Sequence, residues 1–472
     1  MTDGSSTQHS TLQQKNAHHL AIAAGLGLLV FVTALLGIWA RPIGFLSAIW
    51  PANPILLGVL LHRPHWLRPS SALAIFAGYF AADMVTGSRP DVASLLSLAN
   101  MAGVGAAWLL MRRYKQETIC MQRQSSALLL FVGAGLASIV AAAMGTPVLA
   151  AAFHTPPGKA FSMWLSSEWM NYMILLPSIL AWPTRSLPRP ASEKLFPLLQ
   201  AMPVLMVVVL ELISYWMGGP GALVFSLPAL LWCALSYRIF TLTLITAALC
   251  LSKLAAVALG SFDFTPEHFL ETVSFRIGLC MLVLGPLAVA STYMARNDLM
   301  HKLRHAVNHD FLTDVLARGA FLKQGQYLLQ RCFQTQSSAA VLMLDLDHFK
   351  RINDNHGHAG GDELLRRFSL MLTSVLREQD LIGRLGGEEF AAVIPRVDHA
   401  TALEIAKRIN QATRDLWVTH QNERIHATVS IGLMHVQTLS AHQSLDELLQ
   451  QADHALYEAK AQGRDRYVLR QA

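Results

Sequence analysis

Charge is what most of this chain lacks. Only 14% of its 472 residues are Asp, Glu, Lys or Arg, against 53% hydrophobic ones, too apolar an average for one soluble domain and long enough for two or three. The deficit is uneven. From Leu20 to about Ala295 charges are scarce, whereas from Arg296 onward they recur every few positions, as on a solvated globular surface. A boundary near Arg296 follows. Cysteine is sparse too: Cys120, Cys233, Cys250, Cys280 and Cys332 lie far apart, with no paired or zinc-like spacing, so no disulfide framework is expected and the thiols should be reduced and mostly buried. A basic region before Leu20 and a small-residue cleavage site are also missing, so the first apolar run should stay as an anchor rather than be cleaved. The net charge of +6 gives no nucleic-acid partner, because many basic residues sit in short loops between apolar runs, where they orient a membrane protein.

What the first part does contain is uncharged stretches long enough to cross a bilayer core, among them Leu20 to Ala40, Val92 to Met111 and Ile277 to Ala295. The apolar runs predict a multi-pass helical bundle of about ten spans, near 19-40, 43-62, 70-88, 92-111, 126-152, 161-183, 199-217, 221-237, 239-260 and 272-295, or eight if two runs are re-entrant. With residues 1-18 as a cytoplasmic tail, the inner loops hold Arg63, Arg68, Arg112, Arg113, Lys115, Arg123, Arg185, Arg189, Lys194 and Arg238, and the outer loops Arg41, Arg89 and Lys159. That bias predicts the N-terminus and the C-terminal part in the cytoplasm. Asp83, Asn100, Glu168, Asn171, Glu211 and Arg276 are costly in lipid and should face the bundle interior or an interface, as sensing residues or as structural helix-to-helix bonds. In "SAIWPANPILLGVLL", Trp50, Pro51 and Pro54 break the start of a span and free backbone groups for a pocket. This stretch, followed by "LANMAGVGAAWLLMRRY", resembles the first class of MASE membrane-associated sensor domains of bacterial signalling proteins, over most of residues 20 to 295.

Residues 296-309 read as a connector. Leu299, Leu303 and Val307 recur at helical spacing, which predicts a narrow apolar stripe that pairs with a second chain or packs on the domain that follows. Beyond it, 310-472 reads as helix (314-333), strand (339-346), helix (359-376), two strands around a glycine turn (380-394), helix (399-416), strand (424-436) and helix (444-461), an α/β sandwich. The apolar "AAVLMLDLD" predicts a central buried strand. Asp345 and Asp347 at its end share a face, and Asp345 can meet Glu388 from the neighbouring hairpin to hold hard cations through oxygen. Gly386 and Gly387 predict a tight turn with the charge of Glu388 and Glu389 beside it.

"DLDHFKRINDNHGHAGGDELL", "REQDLIGRLGGEEF" and "ADHALYEAKAQGRDR", in that order and spacing, resemble the GGDEF family of diguanylate cyclases across the whole domain. The resemblance implies a nucleotidyl-cyclase-like fold with a ferredoxin-like core. It implies two Mg2+ ions per site, or Mn2+, bound by Asp345, Glu388 and the backbone of Leu346, with Glu389 supporting metal binding or deprotonating the ribose hydroxyl. Asn353 and Asp362 match the residues that read the guanine edge, Lys350, Lys460 and Arg464 the phosphate contacts, and Phe349 and Leu365 the walls of the base pocket. Arg377 and Asp380, five residues before Gly386, match an inhibitory Arg-x-x-Asp site for the product, although an isolated pair of this kind reads as a surface salt bridge. The activity implied is condensation of two GTP to cyclic di-GMP and two pyrophosphates by a homodimer, in a bacterial inner membrane whose lipids surround the helical part.

The chain departs from the family pattern in "DFLTDVLARGAF", with Asp314 where glycine is usual, Ala317 for asparagine and Gly319 for the second arginine. The signature turn has Glu388 for aspartate, which keeps the carboxylate. His348, His356 and His358 are expected to be family-turn and surface residues rather than a zinc site. The alternative function is a catalytically silent receptor for GTP or cyclic di-GMP, and a transporter remains a minor reading of the helical part.

Overall fold

Two compact units divide the chain, Met1–Asn297 and Asp298–Ala472. The structure, a computed structural model, describes residues 4–40, 49–183, 197–218, 220–258, 269–421, 423–440 and 443–471. Arg41, Arg185, Arg189 and Lys194, on which the loop-charge count leans, and residues 43–48 of the second expected span lie outside the described residues.

The first unit is helical. It contains α1 (Gly4–Trp39), α2 (Ala52–His62), α3 (Pro69–Val85), α4 (Pro90–Met111), the single turn α5 (Gln116–Ile119), α6 (Ser126–Phe153), α7 (Pro157–Leu180), α8 (Pro197–Met217), α9 (Leu227–Ser236) and α10 (Ile239–Ala258), and α11 (Phe269–Asn308) runs across the division between the units. Helix lies at each of the ten expected positions, but among the described residues six helices are long and apolar enough to cross a membrane: α1, α4, α6, α8, α10 and α11. A count of ten crossings is therefore not shown. The helices α2 and α3 are apolar but shorter, and α7 carries Lys159, Glu168 and Asn171 within its length. Small residues let helices touch backbone to backbone. A Cβ on Gly78 would lie 2.3 Å from the carbonyl oxygen of Gly27, so α1 and α3 cross at a distance that only glycine permits. Leu28, Leu73, Leu212 and Trp216 point outward, a surface that suits lipid better than water.

The second unit is an α/β sandwich built from β1 (Leu316–Ala317), α12 (Arg318–Gln334), β2 (Ala339–Leu346), α13 (Phe349–Val375), β3 (Leu381–Gly386), β4 (Glu389–Pro395), α14 (His399–Arg414), β5 (Trp417–His420), β6 (Glu423–His426), β7 (Val429–Val436), α15 (Leu445–Ala461) and β8 (Tyr467–Gln471). The six-stranded sheet runs β1-β3-β4-β2-β7-β8, and β5-β6 form a separate hairpin. β2 pairs antiparallel with β4 and β7, so the connection β2-α13-β3-β4-α14-β7 is the split βαβ arrangement of a ferredoxin-like core. All eight residues of β2 are buried, because Phe321, Leu329 and Leu448 cover one face of the sheet and Phe368, Leu372 and Ile405 the other. Two expectations are corrected, and three strands are added. α13 begins at Phe349 rather than 359, with a break at Gly357 (φ 70, ψ 167) that keeps two helical segments at an angle. The expected strand 424–436 is two strands, and β1, β5 and β8 are too short to leave a periodic signal.

Candidate active site

The end of β2 delivers two carboxylates that meet different fates. Asp347 is 4% exposed and accepts hydrogen bonds from Thr428 Oγ1 and Ser430 Oγ at 2.7 Å each and from the Asp465 amide at 3.0 Å. It is a structural pin for β7 and the loop before β8. Asp345, 7% exposed, has an ion pair with Lys460 Nζ at 2.8 Å. Burial pushes the Asp345 carboxyl above its ordinary range, Lys460 opposes that, and Glu388 and Asp347 add to it. Across the β2–β4 pairing Asp345 stands opposite Glu389, whose carboxyl is likewise pushed up by burial and by Asp345 against the pull of Lys460. Asp345 and Glu389 thus share the pull of one ammonium while Glu388 adds a third negative charge beside them, an excess of hard oxygen donors of the kind that binds divalent cations.

The turn beside them is tighter than its sequence implies. Gly386 pairs with Glu389 as the last residue of β3, which leaves Gly387 (φ 44) and Glu388 as the two turn residues. The left-handed backbone at Gly387 favours glycine. A Cβ on either glycine would meet nothing within 4 Å, so the turn presents bare backbone to the outside. Sequence reasoning misses the residue that holds this turn. Arg384 donates from Nε and Nη2 to the Gly387 carbonyl at 2.9 and 2.7 Å and from Nη1 to Asp310 Oδ1 at 2.9 Å. Asp310 also accepts from the Thr313 amide and hydroxyl at 3.0 and 2.7 Å. Burial works upward on the Asp310 carboxyl, but the Thr313 hydroxyl and Arg384 outweigh it and hold it below its ordinary range. The arginine heading "RLGGEEF" and the acid heading "DFLTD" were the available signals.

Around the break in α13 the base-reading candidates come together. A Cβ on Gly361 would lie 2.0 Å from Asn353 Oδ1 and 3.0 Å from Phe349 Cζ, so the glycine makes room for Asn353 beside Phe349, and Asp362 follows directly. Phe349 is buried, Asn353 and Asp362 are half-buried, and Leu365 belongs to the core under α13 rather than to an open pocket. Leu346 donates its amide to the Glu388 carbonyl at 3.5 Å, which ties the end of β2 to the turn. Lys350 and Arg464 are exposed. Arg377 and Asp380 close a turn of their own: the Arg377 amide donates to Asp380 Oδ2 at 2.8 Å and the Asp380 amide to the Arg377 carbonyl at 3.0 Å. Arg377 faces solvent, while Asp380 is 8% exposed and its Oδ1 has no hydrogen-bond partner among the described residues. His356 pairs with Glu423 at 2.8 Å, and no metal-binding cluster among the described residues includes it, His348 or His358.

The helical unit holds a separate polar cluster centred on Asn53, a residue the sequence reading leaves unassigned. Its amide donates to Asn100 Oδ1 at 2.9 Å and to both oxygens of Glu168 at 3.1 Å, and its oxygen accepts from Tyr79 at 2.6 Å and from Trp50 Nε1 at 3.2 Å. Asn171 accepts from the Trp50 amide at 3.0 Å, at the proline-broken start of α2. Glu211 pairs with Lys253 at 2.8 Å, and Arg276 donates to the Met163 carbonyl at 3.2 Å. Asp83 is buried near the end of α3.

Residues 307–466 match the family described as diguanylate cyclase, GGDEF domain. Along nearly its whole length the chain is 30% identical to the probable diguanylate cyclase DgcF of Escherichia coli O157:H7, over 468 residues that cover 95% of this chain and 93% of the relative. It is 39% identical to the response regulator PleD of Caulobacter vibrioides strain NA1000 / CB15N over 175 residues, 37% of this chain and 38% of that one. Among solved structures it matches the GGDEF domain of DgcB from Caulobacter crescentus in complex with c-di-GMP, at 28% identity and a TM-score of 0.33, covering 34% of this chain and 95% of that one. The chain belongs to the GGDEF family of diguanylate cyclases.

Proposed function

We propose that the α/β unit condenses two GTP into cyclic di-GMP and two pyrophosphates, and that the helical unit is a membrane sensor that regulates it. The observation that carries this reading is Asp345, a buried carboxyl paired with Lys460, with the charges of Glu388 and Glu389 close beside it at an open backbone turn. The donor set fits Mg2+: carboxylates of Asp345 and Glu388 with the backbone of Leu346 supply hard oxygens. Two such ions, or Mn2+ in their place, would offset triphosphate charge and favour displacement at the α-phosphorus.

The rest falls to the chain itself. Lys460 exchanges Asp345 for a β- or γ-phosphate when the nucleotide enters, and the exposed Lys350 and Arg464 add charge around it. Asn353 and Asp362 bond the guanine edge while Phe349 backs the ring. Gly386 and Gly387 let the phosphates approach the backbone. Glu389, made a more basic carboxylate by burial and by Asp345, orients the attacking ribose hydroxyl or, when ionised, accepts its proton. One chain supplies half a site, and the exposed stripe Leu299, Leu303 and Val307 supports pairing with a second copy that brings the other GTP. Arg377 and Asp380 bind product and limit its accumulation.

For the helical unit the reading is a MASE-type sensor of the first class. It makes about ten crossings of a bacterial inner membrane, with the N-terminus and the cyclase in the cytoplasm, where GTP is found. The Asn53–Glu168 cluster is its candidate signal site. The nucleotide assignment is tested by turnover of GTP against ATP in the detergent-purified full chain. Adenine leaves the polar groups of Asn353 and Asp362 unpaired, and a preference for GTP of about 10⁴-fold is expected. Comparable turnover of the two overturns the assignment.

A further inference from the structure

The last turns of α11 carry His301 and His305, and His309 follows directly after the helix with its amide still bonded to the His305 carbonyl at 2.8 Å, so the three stand at four-residue intervals along one side. Leu299, Leu303 and Val307 repeat at the same interval two positions earlier, more than half a turn away. The apolar stripe and the histidine stripe therefore occupy opposite faces, so a partner helix on one leaves the other free. Just past the helix end, Asp314 adopts the left-handed conformation (φ 60) and turns back towards it. Its Oδ1 lies 2.8 Å from His305 Nε2, and its carbonyl accepts from His309 Nδ1 at 2.7 Å. The two imidazoles stack with centroids 4.2 Å apart.

We infer that His305, His309 and Asp314 form a binding site for one divalent transition ion of the zinc class, separate from the cation site at Asp345. One ligand atom from each of the three residues lies within 4.8 Å of the others, close enough for a single ion to draw them together. Two imidazoles and a carboxylate are a borderline donor set that suits Zn2+ rather than Mg2+. The backbone bond to His309 Nδ1 fixes its proton there and leaves Nε2 its lone pair, the outer-shell arrangement common to metal-bound histidines. All three groups face solvent or its edge, so an ion has a route in and water can complete the coordination. Its binding would fasten the end of α11 to the loop containing Asp310, four residues before Asp314. Asp310 is the residue that Arg384 joins to the Gly387 turn.

The test uses the full-length chain without a histidine tag, stripped with chelator and kept in saturating Mg2+ so that the Asp345 carboxylates are occupied. Calorimetric titration with Zn2+ should give one site per chain, and Co2+ should give the intense visible bands of a four- or five-coordinate site. His305→Ala and Asp314→Gly should each weaken Zn2+ binding by at least about tenfold. Asp314→Gly suits the left-handed backbone, so its effect reports the lost carboxylate and not strain. Zn2+ should also slow amide hydrogen exchange across 305–316 in the wild type and leave it unchanged in Asp314→Gly. Equal affinity in the wild type and both variants, or no Zn2+ bound by the wild type, overturns the site. None of these readouts depends on cyclase turnover.

Discussion

In the helical unit Lys253 meets Glu211 at 2.8 Å with none of its side chain exposed, whereas in the α/β unit Lys460 meets Asp345 at the same 2.8 Å with 32% of its side chain still in solvent. Equal distances hide different chemistry. Lys253 is enclosed: it also donates to Ser214 Oγ and the Ala222 carbonyl, and Glu211 accepts from Ser226. Such a pair is fixed, because both charges are buried and each is held by further hydrogen bonds besides the ion pair. Lys460 is tethered on one side only. It can trade one anion for another, which a residue that contacts an incoming phosphate must do. The comparison separates ion pairs that hold a fold from ion pairs that wait for a ligand.

The sharpest way to break that distinction is to remove both lysines in turn. Lys253→Met leaves a buried carboxylate unpaired and should destabilise the helical unit by about 3–5 kcal/mol, read as a lowered unfolding temperature in detergent. Adding Glu211→Leu should recover most of it. Lys460→Met should leave the unfolding temperature unchanged and reduce turnover by about 10²–10³-fold. If Lys460→Met unfolds the protein, or Lys253→Met leaves its unfolding temperature unchanged, the contrast is wrong.

A smaller effect should appear in pH dependence, and only at the open pair. The Asp345 and Glu389 carboxyls are raised above their ordinary range, so they take up protons at a higher pH than exposed carboxyls do. Mg2+ competes with those protons. The Mg2+ concentration for half-maximal rate should therefore rise as pH falls from neutral towards the ordinary carboxylate range, while the maximal rate at saturating Mg2+ changes less. A Mg2+ requirement that is flat over this interval contradicts the assignment of Asp345 as a ligand.

The smallest effect concerns Arg377 and Asp380, which lie between the two extremes, with one partner in solvent and the other buried. Arg377→Ala should leave the initial rate unchanged and raise final product a few-fold, as expected when a charge-assisted contact to a ligand is lost. Superimposable progress curves would remove product inhibition from the account.

The same contrast explains what the sequence made legible. β2 and α15 were readable to within a residue, because a fully buried strand and an amphipathic helix opened by a capping box at Ser444 and Glu447 leave strong local patterns. The positions of Asp345 at the end of β2 and of Glu388 in the turn before β4 were readable through their motifs. Asp347 was not, since its three donors come from Thr428, Ser430 and Asp465, far along the chain. Arg384 and Gly361 act through contacts that no periodicity encodes. In the helical unit Asn53 and Lys253 sit inside apolar runs, where one polar residue does not alter the hydropathy that defines the run. His305 and His309 stood out in no linear pattern and Asp314 only as a departure from the family turn; the left-handed turn at Asp314 brings the three together. Nonlocal closure, more than residue type, is what the linear pattern leaves out.

The most direct test of the central reading is to incubate the detergent-purified full-length protein with GTP and Mg2+, separate the nucleotides by chromatography and measure pyrophosphate. Cyclic di-GMP should form with two pyrophosphates per molecule, and Glu388→Gln should bind GTP while turning it over about 10²–10³-fold more slowly. A wild-type chain that binds GTP as well as Glu388→Gln does, yet yields no cyclic di-GMP, would contradict the account and leave a GTP or cyclic di-GMP receptor in its place.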